Sequence, residues 1–117
     1  MNEDRIEALR AKIRKFRDER DWAQFHNPKD MAISISIEAS ELLEHFQWKD
    51  KDAVEKRIKE KKDGIEEEMA DIYIYLLEMA DNLGIDLIDA AKKKLDKNAA
   101  KYPVEKAKGS AKKYTEL

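Results

Sequence analysis

The chain has 117 residues, which is enough for one domain with a single hydrophobic core. Charged residues make up 43% of it, yet the formal net charge is only -2, so the basic surface that general nucleic-acid binding requires is not expected. The absence of cysteine excludes disulfides and thiolate metal sites, and the two histidines are too few for a histidine-rich zinc site. Because the N-terminus has no signal-like apolar stretch and no segment has membrane-spanning length, we expect a cytoplasmic protein with no nucleic acid and no membrane as partner.

The first predicted element is an amphipathic helix that runs from about Asp4 to Arg20. Its apolar residues recur at spacings of three and four, as on one face of a helix: Ile6, Leu9, Ile13 and Phe16. After it, Asn27 and Pro28 predict the start of a second helix, because Asn is a good N-cap and Pro fits the first helical turn.

The second helix contains a short pattern that is typical of a strand. Residues 33–37 alternate between Ile and Ser, but a helical stripe covers fifteen residues against five for the strand pattern. We therefore predict a helix, with a core stripe of Ala32, Ile35, Ala39, Leu42 and Phe46. Glu38, Glu41 and His45 lie on the adjacent stripe.

The polar stretch from Lys49 to Asp63 predicts only a short helix or a turn around Val54 and Ile58, and Gly64 is expected to interrupt it. A third long helix follows and ends at the stop signal Asn82–Gly84. Its predicted core stripe is Ile65, Met69, Ile72, Leu76, Met79 and Leu83.

The last part of the chain predicts a fourth helix and a tail. The helix begins at Asp86 and runs to about Lys101, where Tyr102-Pro103 ends it. Residues 104–117 are rich in lysine and are expected to form an extended tail. The fold class is therefore all-α, a four-helix bundle-like single domain over residues 1–117. Because narrow helices leave apolar stripes exposed, we expect a homodimer or a homotetramer.

Two short acidic motifs carry most of the chemical information. Glu38 and Glu41 are three residues apart on the second helix, and Glu68 and Asp71 have the same spacing on the third. Such pairs lie on nearly one helix face, so packing those faces together would bring four carboxylates to one place. Two charges about 5 Å apart at an effective dielectric of about 20 repel by roughly 3 kcal/mol, so a cation is needed. All-oxygen ligands favour Mg²⁺ or Mn²⁺.

Each motif also has a simpler explanation, because a lone E-x-x-E in so charged a chain is usually a solvated helix face. Asp71 argues against it, since it lies within an otherwise apolar segment and has low helix propensity. A di-iron site would need Glu-x-x-His on two helices, and His45 is not placed in that pattern.

Aromatic residues gather at helix ends and predict a stacking pocket for a planar base. They are Trp22, Phe25, His26 and, after the second helix, Trp48. The alternative is packing at the rim of the core, whereas a base pocket would use His26 to hydrogen-bond the base edge. On the last helix, Lys94 and Asn98 recur with Lys101 at about one-turn spacing, either as a solvated face or as phosphate ligands.

Together these residues resemble the all-α nucleotide pyrophosphohydrolases of the MazG superfamily, whose hallmark is E-x-x-E, a spacer and E-x-x-D. The likeness covers about Arg5 to Thr115 and is greatest to the deoxycytidine triphosphate pyrophosphatase branch. Besides the acidic motifs, it is carried by the segments ERDWAQFHNP (19–28), FQWK (46–49), DIYIYL (71–76), KLDKN (94–98), KYPV (101–104) and KGSAKKYT (108–115).

The resemblance implies a set of site residues. Glu38, Glu41, Glu68 and Asp71 would coordinate Mg²⁺, Trp22, His26 and Trp48 would line the base pocket, and Tyr75, Lys94 and Asn98 would contact sugar or phosphates. One departure concerns the base: members of this branch place a histidine nine residues before the first tryptophan, and this chain has Ile13 there. The resemblance therefore leaves the base preference open.

The implied reaction is Mg²⁺-dependent hydrolysis of a nucleoside triphosphate to the monophosphate and pyrophosphate, with dCTP or a modified nucleotide as substrate. Glu38 or Glu41 would be the catalytic residue that orients or deprotonates the attacking water. The alternative from another class is a non-enzymatic helical adaptor whose aromatic rim binds a partner protein.

Overall fold

In a computed structural model, the backbone is described for residues 2–117 and the side chains for residues 4–117. This part of the chain contains helices and turns and no strand, which confirms the all-α class. The α-helices are α1 (Asn2–Glu19), α2 (Pro28–Glu44), α3 (Lys51–Glu60), α4 (Lys62–Leu83), α5 (Leu87–Lys101) and α6 (Val104–Ala107), and 3-10 turns occur at Ala23–Phe25 and Tyr114–Glu116. None of these helices combines the length and the apolar character that crossing a membrane requires.

The start of α2 follows the sequence signal closely. The side chain of Asn27 accepts a hydrogen bond from the backbone N–H of Asp30 at 2.9 Å, and Pro28 occupies the first turn. The Ile/Ser alternation lies within α2. Two serines of this helix satisfy their hydroxyls locally, since Ser36 and Ser40 each donate to the carbonyl four residues earlier, at 3.0 Å. The predicted helix is therefore confirmed.

The boundary between α3 and α4 differs from the prediction. Gly64 was expected to interrupt the polar stretch, but it lies in the first turns of α4, and the break falls at Lys61 with φ -125°. A Cβ at Gly64 would lie 3.3 Å from Cε1 of His45. The absence of a side chain at Gly64 therefore allows His45, at the C-terminal end of α2, to pack closely against α4. The glycine does not end a helix.

Helix ends in the second half of the chain agree with the sequence. Gly84 ends α4 in the left-handed conformation with φ 67°, which a glycine adopts without strain. Asp86 caps α5 by accepting a hydrogen bond from the backbone N–H of Asp89 at 3.1 Å. The tail was predicted as extended, and it contains α6 and a 3-10 turn besides its extended residues.

The chain divides into two compact units, Met1–Gly84 and Ile85–Leu117. In the first, α4 packs against α2 most extensively and also against α1 and α3. Arg14 of α1 makes two hydrogen bonds of 2.6 Å to the two carboxylate oxygens of Asp81 of α4. In the second, the rings of Tyr102 and Tyr114 meet edge to face, with centroids 6.0 Å apart. The expectation of a single domain over 1–117 stays a prediction.

The buried apolar core of one chain is small. Among the described residues, its buried apolar side chains are Ile13, Met31, Leu77 and Ala80. Half of the core stripe predicted for α4 is exposed, with 58% of Met69, 40% of Leu76 and 46% of Leu83 accessible to solvent. A single copy therefore leaves much of the apolar surface of its longest helix uncovered.

Candidate metal and nucleotide site

The packing of α2 on α4 brings three of the four predicted carboxylates together. Glu38 and Glu41 of α2 and Glu68 of α4 each offer an oxygen atom, and these three atoms lie within 4.8 Å of one another. All three side chains are half-buried. The predicted convergence of the two acidic motifs is therefore observed for these three residues.

The electrostatics of this triad favour a bound proton or cation. Burial raises the pKa of Glu38 to about 7, and a hydrogen bond with Glu41 and the charges of Glu41, Asp71 and Glu68 act in the same direction. The pKa of Glu68 is raised for the same reasons, first by burial and then by Glu41, Asp71 and Glu44. The mutual repulsion that the sequence predicted is thus present in the fold.

The triad also fits a hard divalent cation. The Oε2 atoms of Glu38 and Glu68 are buried and have no hydrogen-bond partner among the described residues. Buried carboxylate oxygens are costly to leave unpaired, and an all-oxygen donor set suits Mg²⁺ or Mn²⁺. These two atoms are therefore where a cation would relieve the largest electrostatic cost.

Asp71 lies beside the triad and not within it. Its side chain is exposed, it lines the neighbouring cavity, and its charge still raises the pKa of both Glu38 and Glu68. Residues three apart on a helix differ by about 60° around the axis, and aspartate is shorter than glutamate by one methylene. Asp71 therefore connects the carboxylate triad to the cavity.

A cavity of about 430 Å³ lies between α1, the turn at Ala23–Phe25 and α4. One face of α4 forms its wall with residues at helical spacings of three and four: Asp71, Ile74, Tyr75 and Glu78. The opposite wall comes from α1 and the turn, with Leu9, Lys12, Ile13, Phe16, Trp22 and His26. A mostly apolar cavity with a few polar groups is typical of a small-molecule site.

Aromatic rings follow one another along this cavity. Ring centroids are 5.7 Å apart for Phe16 and Trp22, 6.3 Å for Trp22 and His26, and 6.4 Å for His26 and Tyr75. Burial, followed by the charges of Glu38 and Asp71, raises the pKa of Tyr75, so its hydroxyl keeps its proton at neutral pH. The structure thus brings Trp22, His26 and Tyr75 to one cavity, and the roles expected for them in substrate binding stay predictions.

Glu78 was missed by the sequence analysis. It is the buried charged residue of the described chain, with 4% of its surface exposed, and its Oε2 lies 2.7 Å from Nδ1 of His26. A signal existed, because Glu78 continues the face of Asp71 and Tyr75 by one helical turn. In a chain so rich in glutamate, that spacing did not distinguish it from a solvated residue.

The remaining predicted residues are not brought to the cavity within this chain's first unit. Trp48 is 94% exposed and adopts a left-handed backbone with φ 64°, and Phe25 is 60% exposed. Neither residue lines the cavity. Lys94 and Asn98 lie on α5 in the second unit. Their roles, and that of Trp48, stay predictions.

A second concave region lies at the other side of the triad. It is lined by Glu41, Glu44, His45, Arg57 and Glu68. Arg57 Nε and Nη2 lie 3.3 Å and 3.2 Å from His45 Nδ1. No sequence pattern singles out Arg57, because its contact with His45 depends on how α3 packs near the end of α2.

Comparisons with known proteins agree with the geometry. A model of the MazG-like family matches residues 33–117. The dCTP pyrophosphatase 1 of Bos taurus is 37% identical over 118 residues, which cover 99% of this chain and 70% of that protein. The Homo sapiens protein of the same name is 36% identical over 117 residues, 98% of this chain and 69% of that protein. The crystal structure of a pyrophosphatase from Archaeoglobus fulgidus is similar with a TM-score of 0.82 and 46% identity, over 85% of this chain and 93% of that one.

Proposed function

Since the chain belongs to the MazG-like family and is a nucleoside triphosphate pyrophosphohydrolase, we propose that it uses Mg²⁺ to hydrolyse a deoxynucleoside triphosphate to the monophosphate and pyrophosphate. The relatives are named for dCTP, and dCTP or a modified nucleotide is the substrate we propose. The relatives reported above are named as pyrophosphatases, which favours hydrolysis over the alternative from the sequence, a non-enzymatic adaptor.

One observation carries this proposal. The carboxylate triad, with two unpaired buried oxygens, lies directly beside an aromatic cavity, and Asp71 belongs to the surroundings of both. A triphosphate needs cationic neutralisation at one end and a stacking surface for its base at the other. The two regions meet along one face of α4, which offers both.

We propose that Glu38, Glu41, Glu68 and Asp71 hold Mg²⁺. When bound, the ion supplies neutralisation of the charge on the phosphates and a lower pKa for a coordinated water. Glu38 or Glu41 orients the attacking water and accepts its proton, the role of a general base. The water oxygen bonds to the α-phosphorus, the bond from that phosphorus to the bridging oxygen breaks, and pyrophosphate leaves with that oxygen.

The other residues of the proposed site bind the substrate. Trp22 and His26 contact the base, by stacking and by hydrogen bonding to its edge. The protonated hydroxyl of Tyr75 donates to the sugar or to a phosphate. Lys94 and Asn98 contact phosphates, the first as a point charge and the second as a donor. Trp48 contributes to the base pocket, and its exposure in one chain suits a pocket completed by a second copy.

The activity is tested by product analysis with Mg²⁺ over a panel of deoxy-, ribo- and modified triphosphates. We expect equal amounts of monophosphate and pyrophosphate from at least one of them. Release of orthophosphate in place of pyrophosphate, or no product from the whole panel, would contradict the proposal. Labelled water distinguishes the site of attack, because attack at the α-phosphorus places the new oxygen on the monophosphate.

We also propose that the chain assembles with itself, as a homodimer or a homotetramer. The support is the small buried core together with the exposed apolar side chains of α4, among them Met69, Leu76 and Leu83. On α2, Ile33 and Ile37 are likewise about half exposed. Sedimentation equilibrium measures the assembly directly, and a monomer at micromolar concentration would contradict this part of the proposal.

A further inference from the structure

Glu78 is a buried glutamate with an unpaired carboxylate oxygen in the cavity. A charged carboxylate with 4% exposure is costly unless it is paired. Its neighbour is His26, whose Nδ1 lies 2.7 Å from Oε2, and both atoms are buried without a hydrogen-bond partner among the described residues. Within residues 4–117, no other group donates to the Oε2 atom of this carboxylate. Glu78 therefore retains acceptor capacity inside a cavity.

The position of Glu78 along α4 places it at the end of the cavity that is remote from the triad. Glu78 is seven residues beyond Asp71, about 10 Å along a helix with a rise of about 1.5 Å per residue. Tyr75 lies between them on the same face. With phosphates at the triad, the group that reaches Glu78 is the base.

Few other polar groups near Glu78 could form hydrogen bonds with the edge of a base. Ile13, which stands where the resembling branch has a histidine, is 8% exposed and offers no hydrogen-bonding atom. Ile74 and Phe16 are apolar as well, and Lys12 and Asp71 are the further charged residues of the lining. The pKa of Arg17 is raised chiefly by its bond to Asp18 and also by the charge of Glu78, so a cation lies near the carboxylate. Few polar groups therefore compete with Glu78 and His26 for the edge of a base.

We propose that Glu78, with His26 beside it, reads the edge of the base and selects bases that present an exocyclic amino group. An ionised carboxylate is only an acceptor, so it pairs with the N–H of cytosine or adenine. A keto oxygen at the same place, as in uracil, thymine or hypoxanthine, faces the carboxylate without a proton between them. This inference rests on the proposed function, because it takes the cavity as the base site of that reaction.

The discrimination should be large, because a carboxylate accepts hydrogen bonds and has no proton to offer to a keto oxygen. Sites built to hydrogen-bond a substrate group reject analogues without that group far more strongly than apolar pockets reject a small change in size. We therefore expect kcat/KM to favour the amino member of a matched pair by at least tenfold.

The first test uses the wild-type chain and two matched pairs of substrates, dCTP against dUTP and dATP against dITP. The proposal requires a preference of at least tenfold for the amino member in the pair that is hydrolysed faster. A smaller preference, or a preference for the keto member, overturns it. This measurement needs no variant and so does not depend on whether a buried substitution folds.

The second test replaces Glu78→Gln, whose amide can rotate to donate or to accept. We expect the preference to fall below threefold, through a gain in kcat/KM for the keto substrate relative to the amino one. The control is Glu67→Gln, an exposed residue of the same helix, which should keep the wild-type ratio. If Glu78 only supports the fold, Glu78→Gln lowers kcat/KM equally for the amino and the keto substrate. An unchanged ratio of these two values overturns the proposal.

Equilibrium binding separates failure of this inference from failure of the proposed function. Calorimetric binding of dCMP and dUMP to the wild-type chain tests base reading without hydrolysis. A binding preference for dCMP without any hydrolysis contradicts the proposed function and supports the role of Glu78. Hydrolysis with no preference between the paired substrates contradicts the role of Glu78 alone.

Discussion

Glutamates at two places in this chain are buried for different reasons. In the triad of Glu38, Glu41 and Glu68, the neighbours are other carboxylates, and burial with mutual repulsion raises the pKa of Glu38 to about 7. At Glu78, the neighbours are apolar side chains, a histidine and a nearby arginine. The surroundings of the triad thus suit a bound cation, whereas those of Glu78 suit a hydrogen-bond donor.

Under the proposed function, this difference would let one face of α4 bind a long ligand. Environments that differ in charge and polarity give identical carboxyl groups different tasks, as in other enzymes that use several acids. Along α4, the acidic end suits the phosphates with their metal ion and the apolar end suits the base. The following predictions test whether the two ends can be changed separately.

Removing a charge from the triad should have the largest effect. We expect Glu41→Gln to lower kcat by about a thousandfold or more, because a metal ligand and a candidate base are lost together. Steady-state release of pyrophosphate is the measurement, with Glu67→Gln as the exposed control. Near-normal turnover in Glu41→Gln, in a folded protein, would argue against the triad as the catalytic centre. The ratio between dCTP and dUTP should not change in this variant.

Metal binding should stabilise the fold through the triad. We expect Mg²⁺ well above its dissociation constant to raise the stability by about 1–3 kcal/mol, since only the folded chain gathers the ligands. Thermal melting with Mg²⁺ and with a chelator measures this shift. In Glu68→Gln the shift should be smaller, whereas Glu78→Gln should keep it. Equal shifts in both variants would contradict the separation of the two ends.

The ion pair between Arg14 of α1 and Asp81 of α4 should stabilise the packing of these two helices. The Arg14 guanidinium holds the pKa of Asp81 below its usual range, so the pair adds stability above about pH 3.8 that is lost as the pH falls further. We expect Asp81→Asn to lower the melting temperature at pH 7 by several degrees, because Arg14 loses two hydrogen bonds to an anion. The difference from wild type should shrink in acid. A constant difference down to pH 2.5 would exclude this pair as its cause.

The triad should give the metal-free protein an unusual dependence on pH. The folded state binds a proton at Glu38 with a pKa of about 7, against 4.5 for the ordinary group. Protonation therefore favours folding, and stability is lost as the pH rises from about 4.5 to about 7. Because the group is partly exposed, we expect a fall of only a few degrees in the melting temperature. Glu38→Gln should flatten this slope, and an unchanged slope would mean that another group causes it.

The smallest expected effect on stability is at Trp48. With 94% of its surface exposed, this tryptophan has little packing to lose, and we expect Trp48→Ala to leave the melting temperature within about one degree. Its proposed role in the base pocket would instead appear as a raised KM, measured beside Trp22→Ala. An unchanged KM would remove Trp48 from the site.

Much of the fold was predictable because its signals are local. Asn27 and Asp86 mark helix starts because their side chains accept hydrogen bonds from the first turn. Gly84 marks a helix end because a residue without a side chain adopts the left-handed conformation without strain. Helical periodicity over fifteen residues outweighed the strand pattern within α2. Gly64 was misjudged, because its role depends on His45, nineteen residues earlier in the chain.

The chain's own order of residues determined the helices, the paired acidic motifs and the aromatic residues near the first turn, since each depends on spacing along one helix or on one cap. Only the tertiary structure decided that three carboxylates meet while Asp71 stands beside them, that Trp48 lies away from the cavity, and that Glu78 is buried next to His26. Those facts depend on which faces of separate helices come into contact. In a sequence with 43% charged residues, spacing alone does not distinguish a buried glutamate from a solvated one.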